Sequence, residues 1–115
     1  MSALIIYHNG ECSKSKGALE LLQDKGIAHS VRWYLVEPLN KEELASLLGK
    51  LGLQPSALVR KSEALYKDEY EGRQLSEEDW MEILSDNPVL MERPIVENGI
   101  RAVIARPAER VLEII

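Results

Sequence analysis

The chain holds one cysteine, Cys12, in the stretch YHNGECSKSKGALELL that runs from Tyr7 to Leu22. Free cysteine is among the most buried residue types, so a lone one is by default a small apolar filler. Three neighbouring features argue for chemistry instead. Asn9-Gly10 signals a turn, which puts Cys12 in a strand-to-helix loop and off the periodic apolar face. The helical pattern beginning at Ser13 sets the thiol at a helix start, where unpaired N–H groups and the helix dipole favour a thiolate. Ser13, Lys14, Ser15 and Lys16 then add hydroxyl donors and positive charge. A thiolate in that setting is a nucleophile beside an anion site.

His8, four residues before the cysteine, has two readings. It is either a hydrogen-bonded residue at a strand end or a cationic or donating imidazole that lowers the Cys12 pKa. Glu11 works the other way, because an adjacent carboxylate raises a thiol pKa unless it turns to solvent. Cys12-Ser13-Lys14-Ser15 spells C-x-x-S, with serine where dithiol oxidoreductases carry a second cysteine. A Cys12 that is oxidised or bonded to a substrate therefore needs an external thiol for its release.

Arg60 in ALVRKSE, Arg93 in MERPIV and Arg106 in IARPAE are the candidate anion ligands. Taken singly, each reads as a surface charge. Arg93 and Arg106 each precede a proline at an element boundary, which holds them extended. A hairpin carrying both towards the cysteine loop would let their guanidinium forks clamp a tetrahedral oxyanion.

These residues need a frame. Residues Ala3 to His8 read as a first strand, Ser13 to Lys25 as a helix with Ala18, Leu21, Leu22 and Lys25 on one face, and His29 to Leu35 as a second strand. That is a β-α-β unit with parallel strands. Asn40 with Glu43 predicts a capped helix bearing Leu44, Leu47, Leu48 and Leu51, and Ser76 to Asp79 starts another bearing Trp80, Ile83 and Leu84. Between them, Gln54 to Arg73 reads as short helical turns. Pro94 to Val96 and Ile100 to Ala105 read as a hairpin turning at Asn98-Gly99, and Pro107 as the first position of a final helix with Val111, Leu112 and Ile115. The expected fold class is α/β, a mixed sheet flanked by helices, with a helical insertion between a β-α-β part and a β-β-α part.

Composition narrows the functions. At 115 residues, with no repeats or linkers, residues 1–115 are expected to form a single domain. A net charge of -5 weighs against nucleic acid and anionic lipid as partners. The N-terminal apolar run is too short for a signal peptide or a membrane span, and one cysteine makes no internal disulfide, so the expected compartment is the cytoplasm.

The segments YHNGECSKSKGALELL, ALVRKSE, NPVLMERPIV and RPAERVLEII, in this order over nearly the whole chain, resemble the arsenate reductase family that works with glutathione and glutaredoxin. The resemblance implies a thioredoxin-like fold with a helical insertion. It implies that Cys12 attacks arsenate or a similar oxyanion, helped by His8, with Ser15 in the same loop. Arg60, Arg93 and Arg106 would hold the oxyanion and its intermediates, and Pro94 would be the cis-proline of the fold. Glutathione is then a co-substrate and glutaredoxin the reducing partner, with no bound cofactor and no metal. Two other activities fit the same letters: a glutathione-dependent thiol-disulfide reductase, and a regulator that binds RNA polymerase, which usually carries C-x-x-C.

Overall fold

The structure is a computed structural model; it describes residues 4–8 and 13–114, with residues 13–15 described through their backbone alone. The described residues form two compact units, one made of Met1–Glu37 with Arg93–Ile115 and the other of Pro38–Glu92.

The first unit is built on a four-stranded sheet in the order β2-β1-β3-β4. Strand β1 (Leu4–Tyr7) is followed by α1 (Ser13–Asp24) and β2 (His29–Arg32), and β1 and β2 pair in parallel with Leu4 opposite His29. Strands β3 (Ile95–Glu97) and β4 (Ala102–Ile104) close the sheet antiparallel, with Tyr7 opposite Ile95 and Ile95 opposite Ile104. Side chains alternate between the faces. One face sends Leu4, Ile6, Val96 and Val103 into a core completed by Ala18 and Leu22 of α1 and by Val111. On the other, the Tyr7 hydroxyl donates to the Glu97 carboxylate, and both residues are buried. A buried carboxylate requires such a donor.

The helix α1 stops at Gly26, whose φ of 65° lies in the left-handed region that glycine enters without a Cβ penalty. Ala18 and Leu22 are buried as expected, but Lys25 is exposed, one turn beyond the face that the sheet covers. The second strand ends earlier than predicted. The Trp33 carbonyl accepts from Val36 N at 3.0 Å and Glu37 N at 2.8 Å, so Trp33 to Leu35 form a turn and not strand. The hairpin also differs. Asn98 Oδ1 accepts from Ile100 N at 2.7 Å and Arg101 N at 2.6 Å, so a side chain closes a four-residue connection, and Gly99 has no positive φ. The last element is a 3-10 helix, Ala108–Glu113, entered from Pro107 at its cap and closed by i to i+3 bonds such as Arg110 N to Pro107 O at 3.0 Å.

The second unit is helical. Its helices are α2 (Lys41–Leu51) and α3 (Glu77–Asp86), and each begins with a reciprocal capping box, Asn40 with Glu43 and Ser76 with Asp79. Between them lie a 3-10 turn, Pro55–Leu58, and a π-helical turn, Tyr66–Tyr70. Leu44, Leu47, Leu58, Leu84 and Leu90 are fully buried. This is the helical insertion expected between the two β-containing parts.

Candidate functional site

Sheet topology gathers most of the predicted residues of the first unit at one end. His8 follows the last residue of β1, and its N–H donates to Arg32 O at 2.9 Å, extending the pairing with β2 by one step. Because β3 runs antiparallel to β1, its start meets the end of β1, and Arg93-Pro94 enter the sheet there. Strand β4 returns to the same end, where Ala105 N donates to Pro94 O at 2.8 Å and Arg106-Pro107 leave the sheet. Both Arg93-Pro94 and Arg106-Pro107 are cis peptide bonds. Pro94 was expected to be cis; Pro107 was not, although both prolines follow an arginine at the same edge.

The electrostatics at this end are set by burial. Arg93 is buried and Arg106 half-buried, and a guanidinium does not shed its charge, so the location favours an anion. His8 is only 3% exposed, and the Trp33 ring meets it edge-on with centroids 4.8 Å apart. Burial pushes the imidazole pKa below its usual 6.5, and the positive charge of Lys16 pushes it the same way. Both effects favour the neutral imidazole. A neutral imidazole still has one N–H to donate.

Helix α1 starts at Ser13, after a connection of four residues from His8, and no acidic residue occupies its first turn. Its leading N–H groups have no partners within the helix, an arrangement suited to an anion. Cys12, the residue just before Ser13, lies outside the described residues, as do Asn9, Gly10 and Glu11, and the side chain of Ser15 lies outside them too.

Arg60 belongs to the helical unit. It follows Val59, which bridges antiparallel to Met91, and its N–H donates to Leu90 O at 2.6 Å. Its Nε donates to Ser62 Oγ at 3.0 Å, while Nη1 is buried with no hydrogen-bond partner among the described residues. Trp33 was missed in the sequence reading. Its place beside His8 depends on the turn that ends β2, which strand alternation does not announce.

Among the described residues no group of three or more His, Cys, Asp or Glu side chains is arranged to hold a metal, and no helix is long and apolar enough to cross a membrane.

A sheet ordered β2-β1-β3-β4, with a cis-proline entering β3 and a β-α-β unit whose helix follows the lone cysteine in sequence, defines a thioredoxin-like fold. The sequence model of the ArsC family matches residues 7–114, and the chain belongs to that family. It is 41% identical to a Haemophilus influenzae protein named arsenate reductase, over 98% of this chain and 99% of the relative. It is 45% identical to the Escherichia coli K12 protein named uncharacterized protein YfgD, over 96% of this chain and 94% of the relative. A solved structure named arsenate reductase from Vibrio cholerae superposes with a TM-score of 0.93 at 42% identity, covering 99% of this chain and 98% of its own.

Proposed function

We propose that this protein is an arsenate reductase, with Cys12 as the nucleophile and arginines as the oxyanion clamp. One observation carries the reading: His8, Arg93 and Arg106 converge on the sheet end from which the chain leads through Cys12 into α1. Near-full-length likeness to proteins named arsenate reductase supports the choice of oxyanion.

In this mechanism the Cys12 thiolate attacks arsenic(V), and an arsenate oxygen leaves as water after taking up protons. Arg93 and Arg106 neutralise charge on the remaining oxygens. Neutral His8 donates a hydrogen bond to the thiolate or to an arsenate oxygen. Reducing arsenic(V) to arsenic(III) takes an electron pair that one cysteine does not supply without becoming oxidised. Two external thiols supply it, one from glutathione and one from glutaredoxin, and they leave joined as a disulfide. Water then releases arsenite and returns Cys12 as the thiolate. A cycle drawing on reduced thiols belongs in the cytoplasm.

The test is arsenite production from arsenate by the purified protein with glutathione and glutaredoxin. Wild type is expected to turn over, and Cys12→Ser to fall to background. If wild type forms no arsenite while its thiol still reacts with an alkylating agent, arsenate is the wrong substrate.

A further inference from the structure

The end of the β1–β2 pairing carries a residue that takes no part in the mechanism. The parallel register sets Leu4 opposite His29 and Ile6 opposite Val31, and the bond from His8 N to Arg32 O extends it, which brings His8 level with Trp33. Side chains alternate along a strand, so His8 shares the face of Ile6 and Trp33 that of Val31. On that face Ile6 and Val31 pack into the core that Ala18 and Leu22 of α1 complete. The rings meet as the register requires, with centroids 4.8 Å apart and planes inclined by 73°, the edge-to-face arrangement that ring pairs prefer. Past this step the chain turns, and three bonds hold the turn. Trp33 O accepts from Val36 N at 3.0 Å and from Glu37 N at 2.8 Å, and Arg32 Nε donates to Glu37 O at 3.1 Å. The Trp33 backbone is therefore fixed while its ring stays half exposed. In the order β2-β1-β3-β4, Trp33 borders His8 on the flank away from the one where Arg93-Pro94 enter the sheet.

We infer that Trp33 is a positioning residue for His8: its ring sets the plane of the imidazole, and with it the line along which the ring N–H donates. The inference rests on the role given to His8 above and adds a residue outside the nucleophile and the oxyanion clamp. The second side-chain torsion of histidine is broad and roughly two-fold, so its neighbours must choose the ring plane. An imidazole donates from an atom in that plane, so a tilted ring misses a thiolate or an oxyanion oxygen that an aligned ring would reach. The His8 main chain is already tied to β2, which leaves the ring plane for Trp33 to fix.

The experiment is a double-mutant cycle on the intact protein, with Trp33→Ala and His8→Ala made singly and together and arsenite production read with glutathione and glutaredoxin. Trp33→Ala is expected to lower kcat about three- to tenfold, the span that an edge-to-face ring pair is worth, with the KM for arsenate unchanged. Trp33→Phe keeps a ring at this place and is expected to stay within about twofold of wild type. In the His8→Ala background, Trp33→Ala is expected to have no further effect, a result that a merely structural tryptophan would not give. The same pattern is expected in the rate of Cys12 alkylation by iodoacetamide, which needs no arsenate. The inference is overturned if Trp33→Ala leaves kcat and alkylation unchanged, if its effect persists without His8, or if Trp33→Phe falls as far as Trp33→Ala. A His8→Ala variant as fast as wild type in both assays would remove the role of His8 and this inference with it. The expected pattern in alkylation without any arsenite formation would remove the arsenate reading alone.

Discussion

At the scale of single residues, burial and the positive charge of Lys16 lower the His8 pKa, and the Trp33 ring is one of the groups packed against the imidazole. Trp33 is 50% exposed while His8, which its ring meets edge-on, is 3% exposed. The imidazole of the folded protein refuses a proton near pH 6.5 that the unfolded chain accepts. The associated stability is complete above pH 6.5 and is lost as the pH falls below that value towards the lowered pKa. Trp33→Ala is expected to raise the His8 pKa towards 6.5 and to shrink this acid loss, read by NMR titration of the ring and by urea melts at several pH values. An unchanged His8 pKa would mean that Lys16 and the other neighbours suffice. Part of what gathers at this sheet end could be read from residue types: His8 at a strand end, and two arginines each followed by proline. The neutrality of His8 could not, because it follows from burial by residues distant in sequence.

At the scale of elements, local signals were readable and long-range ones were not. The boxes at α2 and α3 each close within four residues, with Glu43 N to Asn40 Oδ1 at 2.8 Å and Asp79 N to Ser76 Oγ at 3.1 Å, so pattern alone identified them. Ser76→Ala is expected to cost about 1 kcal/mol in a denaturant melt and Ser76→Gly only a few tenths. Equal losses for the two would show that the hydroxyl is not acting as a cap. The hairpin and its turn at Asn98-Gly99 were located, but not the bonds that close the turn. Asn98 spends its amide oxygen on two backbone N–H groups and its Nδ2 on Ile114 O at 2.7 Å. That last partner is sixteen residues away, and no short-range rule includes it. Lys25 was misplaced for a similar reason, since the covered face of α1 ends where the sheet ends.

At the scale of the whole molecule, one core ties the first unit together across most of the chain, joining Leu4 and Ile6 to Leu22, Val96, Val103 and Val111. Leu22 is fully buried there, and Leu22→Ala is expected to cost about 2–5 kcal/mol, depending on how far the site collapses. A loss below about 1 kcal/mol, read by denaturant melting, would mean that the cluster does not act as one core. The order of elements gave the fold class, because β-α-β followed by helices and then β-β has few arrangements in one sheet. The sheet order has a further consequence for synthesis. Strand β1 is made almost first and receives its neighbour β2 at once, yet its other neighbour, β3, begins at Ile95. The helical unit, 38–92, emerges from the ribosome entire before that strand arrives. A nascent chain arrested between the two therefore carries β1 with one row of N–H and C=O groups unpaired, a sticky edge that only the last quarter of translation can cover.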